Sequence, residues 1–155
     1  MAIAVSGGPD SLALLLLAAA ARPGAVRAAT VDHRLRAASA GEAAAVARVC
    51  AALAVPHQTL EIAVAAGNLQ SEARRGRYAA LAGWMNEQGI AALATGHHAD
   101  DQAETLLMRL NRAGGCAGLA GVRARGRLPG SEGRLLLRPL LGWRRAELAA
   151  LIAAA

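Results

Sequence analysis

Residues 3–11 read Ile-Ala-Val-Ser-Gly-Gly-Pro-Asp-Ser, and the apolar run Leu12–Ala21 follows them directly. This order predicts a strand, a tight turn and a helix. Two adjacent glycines carry no Cβ, so backbone N–H groups can converge on one oxyanion at the positive end of the helix. An ordinary strand-to-helix turn is the alternative, because the same residue types are common there. We interpret as an anion site the six residues Ser6, Gly7, Gly8, Pro9, Asp10 and Ser11.

Asp10 is unusual in such a site, because a carboxylate repels a bound phosphate. It fits the N-terminus of a helix, and it also fits a divalent cation that lies between the carboxylate and phosphate oxygens. The sequence contains neither a Walker pattern, which needs a lysine, nor a GxGxxG pattern, and all 17 basic residues are arginine. The turn therefore predicts a phosphate site of another kind.

The composition favours one domain with a core of Ala, Leu and Val, because 155 residues include only two Trp, one Tyr and no Phe. The net charge of +6 suits a polyanionic partner. Cys50 and Cys116 lack the paired spacing of a zinc or iron–sulfur site, and a reducing compartment is their natural setting. The run Leu12–Ala21 is too short to cross a bilayer, so we expect a cytoplasmic protein with no membrane partner.

Short apolar runs alternate with longer helical ones, which predicts βαβ units and an open, mainly parallel five-stranded α/β sheet flanked by helices. The predicted strands are Ala2–Val5, Val26–Val31, Gln58–Val64, Ile90–Thr95 and Leu135–Leu137. The predicted helices are Ser11–Ala21, a segment that begins at Ser39, and then Gln70–Asn86, Asp100–Asn111 and Arg144–Ala154. The glycine-rich stretch Ala113–Gly133 is expected to be a loop, in which Arg123, Arg125 and Arg127 suit contacts to phosphate groups.

Three polar segments follow predicted strands of this sheet. Ser6 follows the first strand, Asp32 the second and Gly96 the fourth. Ligands of open parallel sheets bind beyond the carboxyl ends of the strands. We therefore expect the three segments to face one binding site.

The segment after the fourth strand, residues 95–105, reads TGHHADDQAET. His97, Asp101 and Glu104 share one helix face if the helix already includes His97. Like charges so close together need compensation by a metal ion, an arginine or a proton. Asp100 and Asp101 can instead complement the helix dipole, which leaves His97 and Glu104 unexplained. His98 fits a core position as well as a functional one.

The turn at residues 6–11 resembles the SGGxDS signature of the PP-loop ATP pyrophosphatases, and residues 96–105 resemble the GHHxDDQxET segment of the tRNA(Ile)-lysidine synthetase family. Further segments resemble that family in the same order: VDH at 31–33, NLQ at 68–70, ARxxRY at 73–78 and RPLL at 138–141. The chain departs from it at Arg34, where glycine is usual, and at residues 112–119, which read RAGGCAGL instead of RGSGxxGL. The combination is specific, whereas SGGxDS alone would also admit GMP, NAD or argininosuccinate synthetases.

The resemblance implies an adenine nucleotide alpha hydrolase-like, Rossmann-like fold that uses ATP and Mg²⁺. It implies that residues 6–11 hold the pyrophosphate end of ATP, with Asp10 and Asp101 as candidate metal ligands. The catalytic candidates are Asp32, His97, Asp101 and Glu104. The candidate contacts to substrate or phosphate are Arg74, Arg77 and Arg112, and the alternative is that arginines on a helix are simply solvated.

The reaction implied by the resemblance uses ATP to adenylate the wobble cytidine of tRNA(Ile) with a CAU anticodon, after which free L-lysine displaces AMP to form lysidine. A homodimer is compatible with this interpretation. Family members continue past RPLL, so we expect residues 1–155 to form one PP-loop domain without the C-terminal parts that recognise tRNA. The alternatives are another PP-loop enzyme, of the thiolation or amidation type, and a module that binds ATP or tRNA without turnover.

Overall fold

The computed structural model describes residues 1–34, 39–62, 69–111 and 121–155. Within these residues the chain forms five helices and six strands. The strands are β1 (Ala2–Ala4), β2 (Arg27–Asp32), β3 (His57–Glu61), β4 (Ala92–Ala94), β5 (Arg125–Arg127) and β6 (Leu135–Leu137). The helices are α1 (Pro9–Ala21), α2 (Ser39–Ala52), α3 (Leu69–Glu87), α4 (Ala99–Asn111) and α5 (Arg145–Ala154). In these parts of the chain, none of the helices combines the length and the apolar character that a membrane span requires.

The sheet has the order β3-β2-β1-β4-β6-β5. All neighbours pair in parallel except β5 and β6, which are antiparallel. The chain moves from β1 outward to β2 and β3 and then returns to the other side of β1 at β4. A crevice therefore opens between the carboxyl ends of β1 and β4, where strand order reverses. The predicted open, mainly parallel α/β sheet is confirmed.

The sheet contains six strands instead of the predicted five, because β5 lies inside the predicted loop Ala113–Gly133. Arg125 pairs with Leu137, and Arg127 pairs with Leu135. The sequence Arg-Gly-Arg has no apolar alternation, so hydrophobicity does not mark it as a strand. Backbone pairing with β6 along the sheet edge holds it instead. The part of the predicted loop before residue 121 lies outside the described residues.

Two apolar clusters cover opposite faces of the sheet. Ile3, Ala28 and Ala94 belong to the cluster that packs against α1, α2 and α5. Their strand neighbours Ala2, Ala29 and Leu93 belong to the cluster that packs against α3. This alternation follows from the two-residue period of a strand, and small alanines in the sheet let the helices approach closely. Both clusters hold the strand ends, and hence the crevice, in a defined position.

Candidate functional site

A cavity of about 500 Å³ opens at the carboxyl edge of the sheet. Its lining combines the turn after β1, the end of β2, the start of α2, one side of α3 and the segment after β4. The predicted site residues among its lining are Ser6, Gly8, Asp10, Ser11, Asp32, Arg74, Arg77, His97 and Asp101. The structure thus brings together the three polar segments that were expected to face one site.

The turn after β1 is ordered by its two serines. The Ser11 hydroxyl donates to the Gly8 carbonyl over 2.8 Å, and the Ser6 backbone N–H donates to the Ser11 hydroxyl oxygen over 3.1 Å. The two hydroxyl oxygens lie 3.2 Å apart. Because the Ser11 proton is already directed to Gly8, Ser6 is the donor between them. Ser11 is buried while Ser6 is exposed at the cavity, so Ser6 can turn its hydroxyl toward a ligand.

The glycines of the site serve different purposes. Gly7 has a φ of +87°, a backbone conformation that favours glycine. Gly8 has an ordinary φ of −72° at the N-cap of α1, and a Cβ there would meet only the Ser6 hydroxyl at 3.7 Å. A Cβ at Gly96 would lie 2.9 Å from the Asp10 carbonyl oxygen and 3.1 Å from the Ser11 Cα. Gly96 therefore lets the chain after β4 approach the first turn of α1, whereas no contact this close accounts for Gly8 in the described part of the chain.

A buried histidine, His98, lies among three carboxylates. Its Nε2 is 3.4 Å from an Asp10 oxygen and 3.6 Å from an Asp101 oxygen, and its Nδ1 is 3.5 Å from Asp100. His98 is only 1% exposed. His98 therefore has a buried place at the junction of α1 and α4, where its Nε2 atom faces the carboxylates of both Asp10 and Asp101.

Asp10 and Asp101 were predicted as metal ligands. The Asp10 Oδ1 atom is buried and has no hydrogen-bond partner among the described residues, and Asp10 lines the cavity. In the described ranges no three His, Cys, Asp or Glu side chains are arranged to hold a metal ion. Mg²⁺ is commonly held by one or two carboxylates together with substrate phosphates. The two carboxylates fit a cation of that kind.

The helix α4 begins at Ala99, so His97 precedes it and does not share a helical face with Asp101 and Glu104. The His97 ring is instead fixed by Thr95, whose hydroxyl oxygen lies 2.9 Å from Nδ1. Burial, with the nearby charge of Arg138, lowers the pKa of His97, although Asp101 opposes this shift. A neutral imidazole at the cavity is the result at neutral pH.

The acidic residues at the start of α4 also have structural partners. The His98 backbone N–H donates to Asp101 over 2.8 Å, and the Arg145 backbone N–H donates to Asp100 over 2.8 Å. The bond from Arg145 lowers the pKa of Asp100. Asp100 thus caps the start of α5, which accounts for its position. Asp101 caps the start of α4 and lines the cavity as well. Glu104 is exposed one turn further along α4 and does not belong to the described lining.

Asp32 ends β2 and is buried. Its Oδ1 accepts the Arg34 backbone N–H over 2.8 Å, and that bond, helped by the Ser39 hydroxyl, lowers the pKa of Asp32. The carboxylate therefore stays ionised while it stabilises the turn between Asp32 and Arg34. Next to it, His33 lines the cavity with a buried Nδ1 that has no partner in the described part of the chain. Burial, and then the charge of Arg77, lowers the pKa of His33.

The arginines of α3 form the positively charged wall of the cavity. Arg74 and Arg77 are exposed and line it, and the Arg74 guanidinium carbon lies 5.3 Å from the centre of the Tyr78 ring. Stacking on a buried tyrosine directs a long side chain without neutralising its charge. Arg75 is paired with Glu72 over 2.6 Å and is less available to a ligand. Arg112, the third predicted contact, lies outside the described residues.

His33 and Thr95 line the cavity but were not among the predicted site residues. Their position directly after β2 and at the end of β4 was the available signal, because side chains at strand ends face the ligand edge. The position of His98 in the sequence could not predict its contact with Asp10, because Asp10 belongs to a distant part of the sequence.

The comparison with protein families matches residues 1–155 to a family described as the PP-loop domain. Among curated proteins, the chain is 56% identical over 151 residues to a tRNA(Ile)-lysidine synthase from Novosphingobium aromaticivorans, with 97% of the chain and 46% of the relative covered. It is 48% identical over 155 residues to a tRNA(Ile)-lysidine synthase from Zymomonas mobilis, with 98% and 47% covered. The chain thus spans about half the length of the curated relatives it matches.

Two solved structures show the same fold at low sequence identity. A U34-tRNA thiolase from Methanococcus maripaludis has a TM-score of 0.77 at 20% identity, with 98% of this chain and 55% of that chain covered. An NH3-dependent NAD synthetase from Campylobacter jejuni has a TM-score of 0.64 at 16% identity, with 99% and 62% covered. Both likenesses concern the arrangement of strands and helices.

Proposed function

Because the chain belongs to the PP-loop family, we propose that it is the ATP-binding catalytic part of a tRNA(Ile)-lysidine synthase. In the proposed reaction the C2 oxygen of the wobble cytidine attacks the α-phosphate of ATP, and the bond to the β-phosphate breaks to release pyrophosphate. The amino group of L-lysine then attacks C2, and AMP leaves. The observation that carries this proposal is the single cavity that combines the SGGPDS turn with His97 and Asp101.

The turn after β1 is proposed to hold the pyrophosphate end of ATP. The N-terminus of α1 directs its free N–H groups to the cavity, and the Ser6 hydroxyl lies at the same place. Gly8 supports this assignment because, among the described residues, a Cβ there would meet only the Ser6 hydroxyl, so close packing does not explain the glycine. Hydrogen bonds from these groups stabilise the negative charge that grows on the departing pyrophosphate.

Asp10 and Asp101 are the proposed ligands of Mg²⁺. When bound, this ion would neutralise charge on the phosphate oxygens. The partnerless Oδ1 of Asp10 supports the assignment, since a buried carboxylate oxygen without a donor is otherwise unfavourable. His98 positions both carboxylates from the side of the core.

His97 is the proposed proton acceptor for the lysine amine, which must lose a proton to attack. The Thr95 hydroxyl can donate to the Leu137 carbonyl at 3.5 Å, which leaves the Thr95 oxygen to accept from Nδ1–H of His97. Nε2 then carries the free lone pair. The lowered pKa keeps His97 in this neutral form. Glu104 is proposed to attract the lysine ammonium group near the cavity, while Asp32 orients the nucleotide or the cytidine.

Arg74 and Arg77 are proposed to bind phosphate groups of ATP or of tRNA(Ile) on the opposite wall, and Arg112 is a further candidate from the sequence. A planar guanidinium suits bidentate contacts to phosphate. The exposure of both described arginines at the cavity, and the Tyr78 ring beneath Arg74, support this role.

The test is multiple-turnover release of pyrophosphate from ATP, measured with and without tRNA(Ile) carrying a CAU anticodon and with and without L-lysine. Continuous release that requires both substrates, together with AMP formation, is the expected result. Release with tRNA but without any dependence on lysine would indicate a different nucleophile. Tight ATP binding with no release under any of these conditions would indicate a binding module and contradict the proposed activity. A tRNA with another anticodon is the matched substrate control.

A further inference from the structure

We propose that Arg125, the first residue of the edge strand β5, and Arg123, two residues before it, bind the phosphate backbone of RNA at the rim of the cavity. The inference rests on the proposed function, because a base placed in the cavity leaves its flanking backbone at the rim. It adds a binding surface that lies outside the cavity lining.

The direction of β5 places its first residues at the edge where the cavity opens. Because β5 runs antiparallel to β6, Arg125 lies opposite Leu137, at the carboxyl end of β6, and Arg127 lies opposite Leu135. The carboxyl end of β6 is next to that of β4, which leads into the cavity. Arg123 and Arg125 are therefore near the opening, and Arg127 is further away along the strand.

Two side chains hold the backbone of this segment in place. The Gln102 amide of α4 donates to the Val122 carbonyl over 2.6 Å and accepts the Val122 N–H over 2.5 Å. The Arg138 guanidinium donates to the Arg123 carbonyl over 2.8 Å. Gln102 is the neighbour of Asp101 in the sequence, and the charge of Arg138 reaches His97. The segment before β5 is thus attached to the same elements that carry the catalytic candidates.

The side chains of Arg123 and Arg125 are accessible to a ligand from solvent. Both residues are exposed, and within the described ranges no side chain forms a hydrogen bond or ion pair with either guanidinium group. Arg125 begins β5 and Arg123 precedes it by two residues, so the two side chains are close along the chain at the end of β5 that is nearest the cavity. Two solvated arginines so arranged can follow a chain of phosphates, whose counterions they release on binding.

Charged residues on an edge strand also prevent edge-to-edge association, so this role must be separated from RNA binding. The two roles predict different results. Loss of edge protection produces aggregates, whereas loss of a phosphate contact weakens binding of RNA to the monomer and lowers its salt dependence.

The experiment measures binding of tRNA to the 155-residue chain over a range of salt concentrations, for the wild type and for Arg123→Gln, Arg125→Gln and their combination. Arg22→Gln is the control, because Arg22 is an exposed arginine at the C-terminal end of α1, at the opposite edge of the sheet. For the double variant we expect about tenfold weaker binding near 0.1 M salt and a log–log salt slope that is smaller by about 1.4. ATP binding is expected to stay at the wild-type level, as is tRNA binding by the control.

A double variant that binds tRNA like Arg22→Gln, while the wild type binds tRNA, would overturn this inference and leave the proposed function standing. Aggregation of the variants with unchanged affinity of the remaining monomer would also overturn it, in favour of edge protection. A wild-type chain that binds ATP but no tRNA would overturn the inference together with the tRNA step of the proposed function.

Discussion

At the scale of single residues, we expect substitution of the two adjacent glycines of the SGGPDS turn to have different effects, one on ATP binding and the other on stability. Gly8→Ala adds a methyl group that meets only the Ser6 hydroxyl at 3.7 Å, so the fold should keep its stability. The same methyl group occupies the space proposed for a phosphate oxygen. We expect at least about a tenfold loss of ATP affinity, which corresponds to about 1.4 kcal/mol, measured by calorimetric titration.

Gly7→Ala is the matched comparison for this prediction. Its φ of +87° should make alanine unfavourable by about 1 to 2 kcal/mol, seen as a lower free energy of unfolding. Normal ATP binding by Gly8→Ala would contradict the assignment of the turn to the pyrophosphate group.

A second prediction at this scale concerns Asp101 and Glu104, two of the three acidic residues of α4. Asp101→Asn keeps an oxygen for the His98 N–H but removes the charge beside Asp10 in the cavity, so turnover should fall by about 100-fold or more. Glu104→Gln acts on an exposed position outside the described lining, and we expect a smaller loss. Steady-state pyrophosphate release measures both variants. A Glu104→Gln chain with unchanged rate and unchanged lysine dependence would remove Glu104 from the catalytic group.

At the scale of elements, the contact between β4 and α1 depends on Gly96. A methyl group there would lie 2.9 Å from the Asp10 carbonyl oxygen, and backbone atoms of a helix cannot move as a flexible side chain can. We expect Gly96→Ala to lower the free energy of unfolding by about 1 to 3 kcal/mol and to weaken ATP binding as well. Thermal unfolding and calorimetry measure the two effects.

The same substitution in α3 should have the opposite sign. Gly83 is exposed inside the helix, and a Cβ there would meet no atom within 4 Å. Gly83→Ala should raise the free energy of unfolding by about 0.5 to 1 kcal/mol, because alanine loses less backbone entropy in a helix. Equal effects of the two substitutions would show that the approach of β4 to α1 is not as close as described.

At the scale of the whole molecule, the pKa values of three histidines in different parts of the fold are lowered. Burial is the first cause of the lowered pKa of His33, His57 and His97. Between each lowered value and the ordinary value of 6.5, the unfolded chain binds more protons than the folded one. Stability therefore rises with pH in this window, and it falls as the pH drops below about 6.5.

Thermal unfolding from about pH 8 to about pH 5 at constant ionic strength checks this sign. We expect His57→Gln to reduce the loss of stability at low pH, because glutamine does not titrate. His57 pairs with the Thr30 hydroxyl over 2.9 Å and lies outside the cavity lining, so the substitution leaves the candidate site intact. Asp32 and Asp100, whose pKa values are also lowered, should add a further loss only below about pH 4. A midpoint that does not change between about pH 7 and about pH 5 would contradict the prediction.

Local patterns predicted the elements that have a clear period. All five predicted helices are present. Where both ends were predicted, they differ from the observed ends by at most two residues; α3, for example, was predicted as Gln70–Asn86 and is Leu69–Glu87. The strand β5 was missed because Arg125–Arg127 has no apolar residue and is held only by its pairing with β6. His97 was predicted on the face of a helix that in fact begins at Ala99, and helix ends depend on capping bonds such as that from His98 to Asp101.

The sequence by itself determined the α/β class, the glycine turn between β1 and α1 and the edge of the sheet at which the polar segments lie, because alternating apolar runs and glycine positions are local properties. Only the tertiary structure decided which polar side chains meet. The Nε2 atom of His98 lies near both Asp10 and Asp101 because β1 and β4 pair in parallel. Arg138 holds the backbone of Arg123 because β5 and β6 pair in the antiparallel direction. The distance between such groups depends on the order of strands in the sheet, which no local pattern contains.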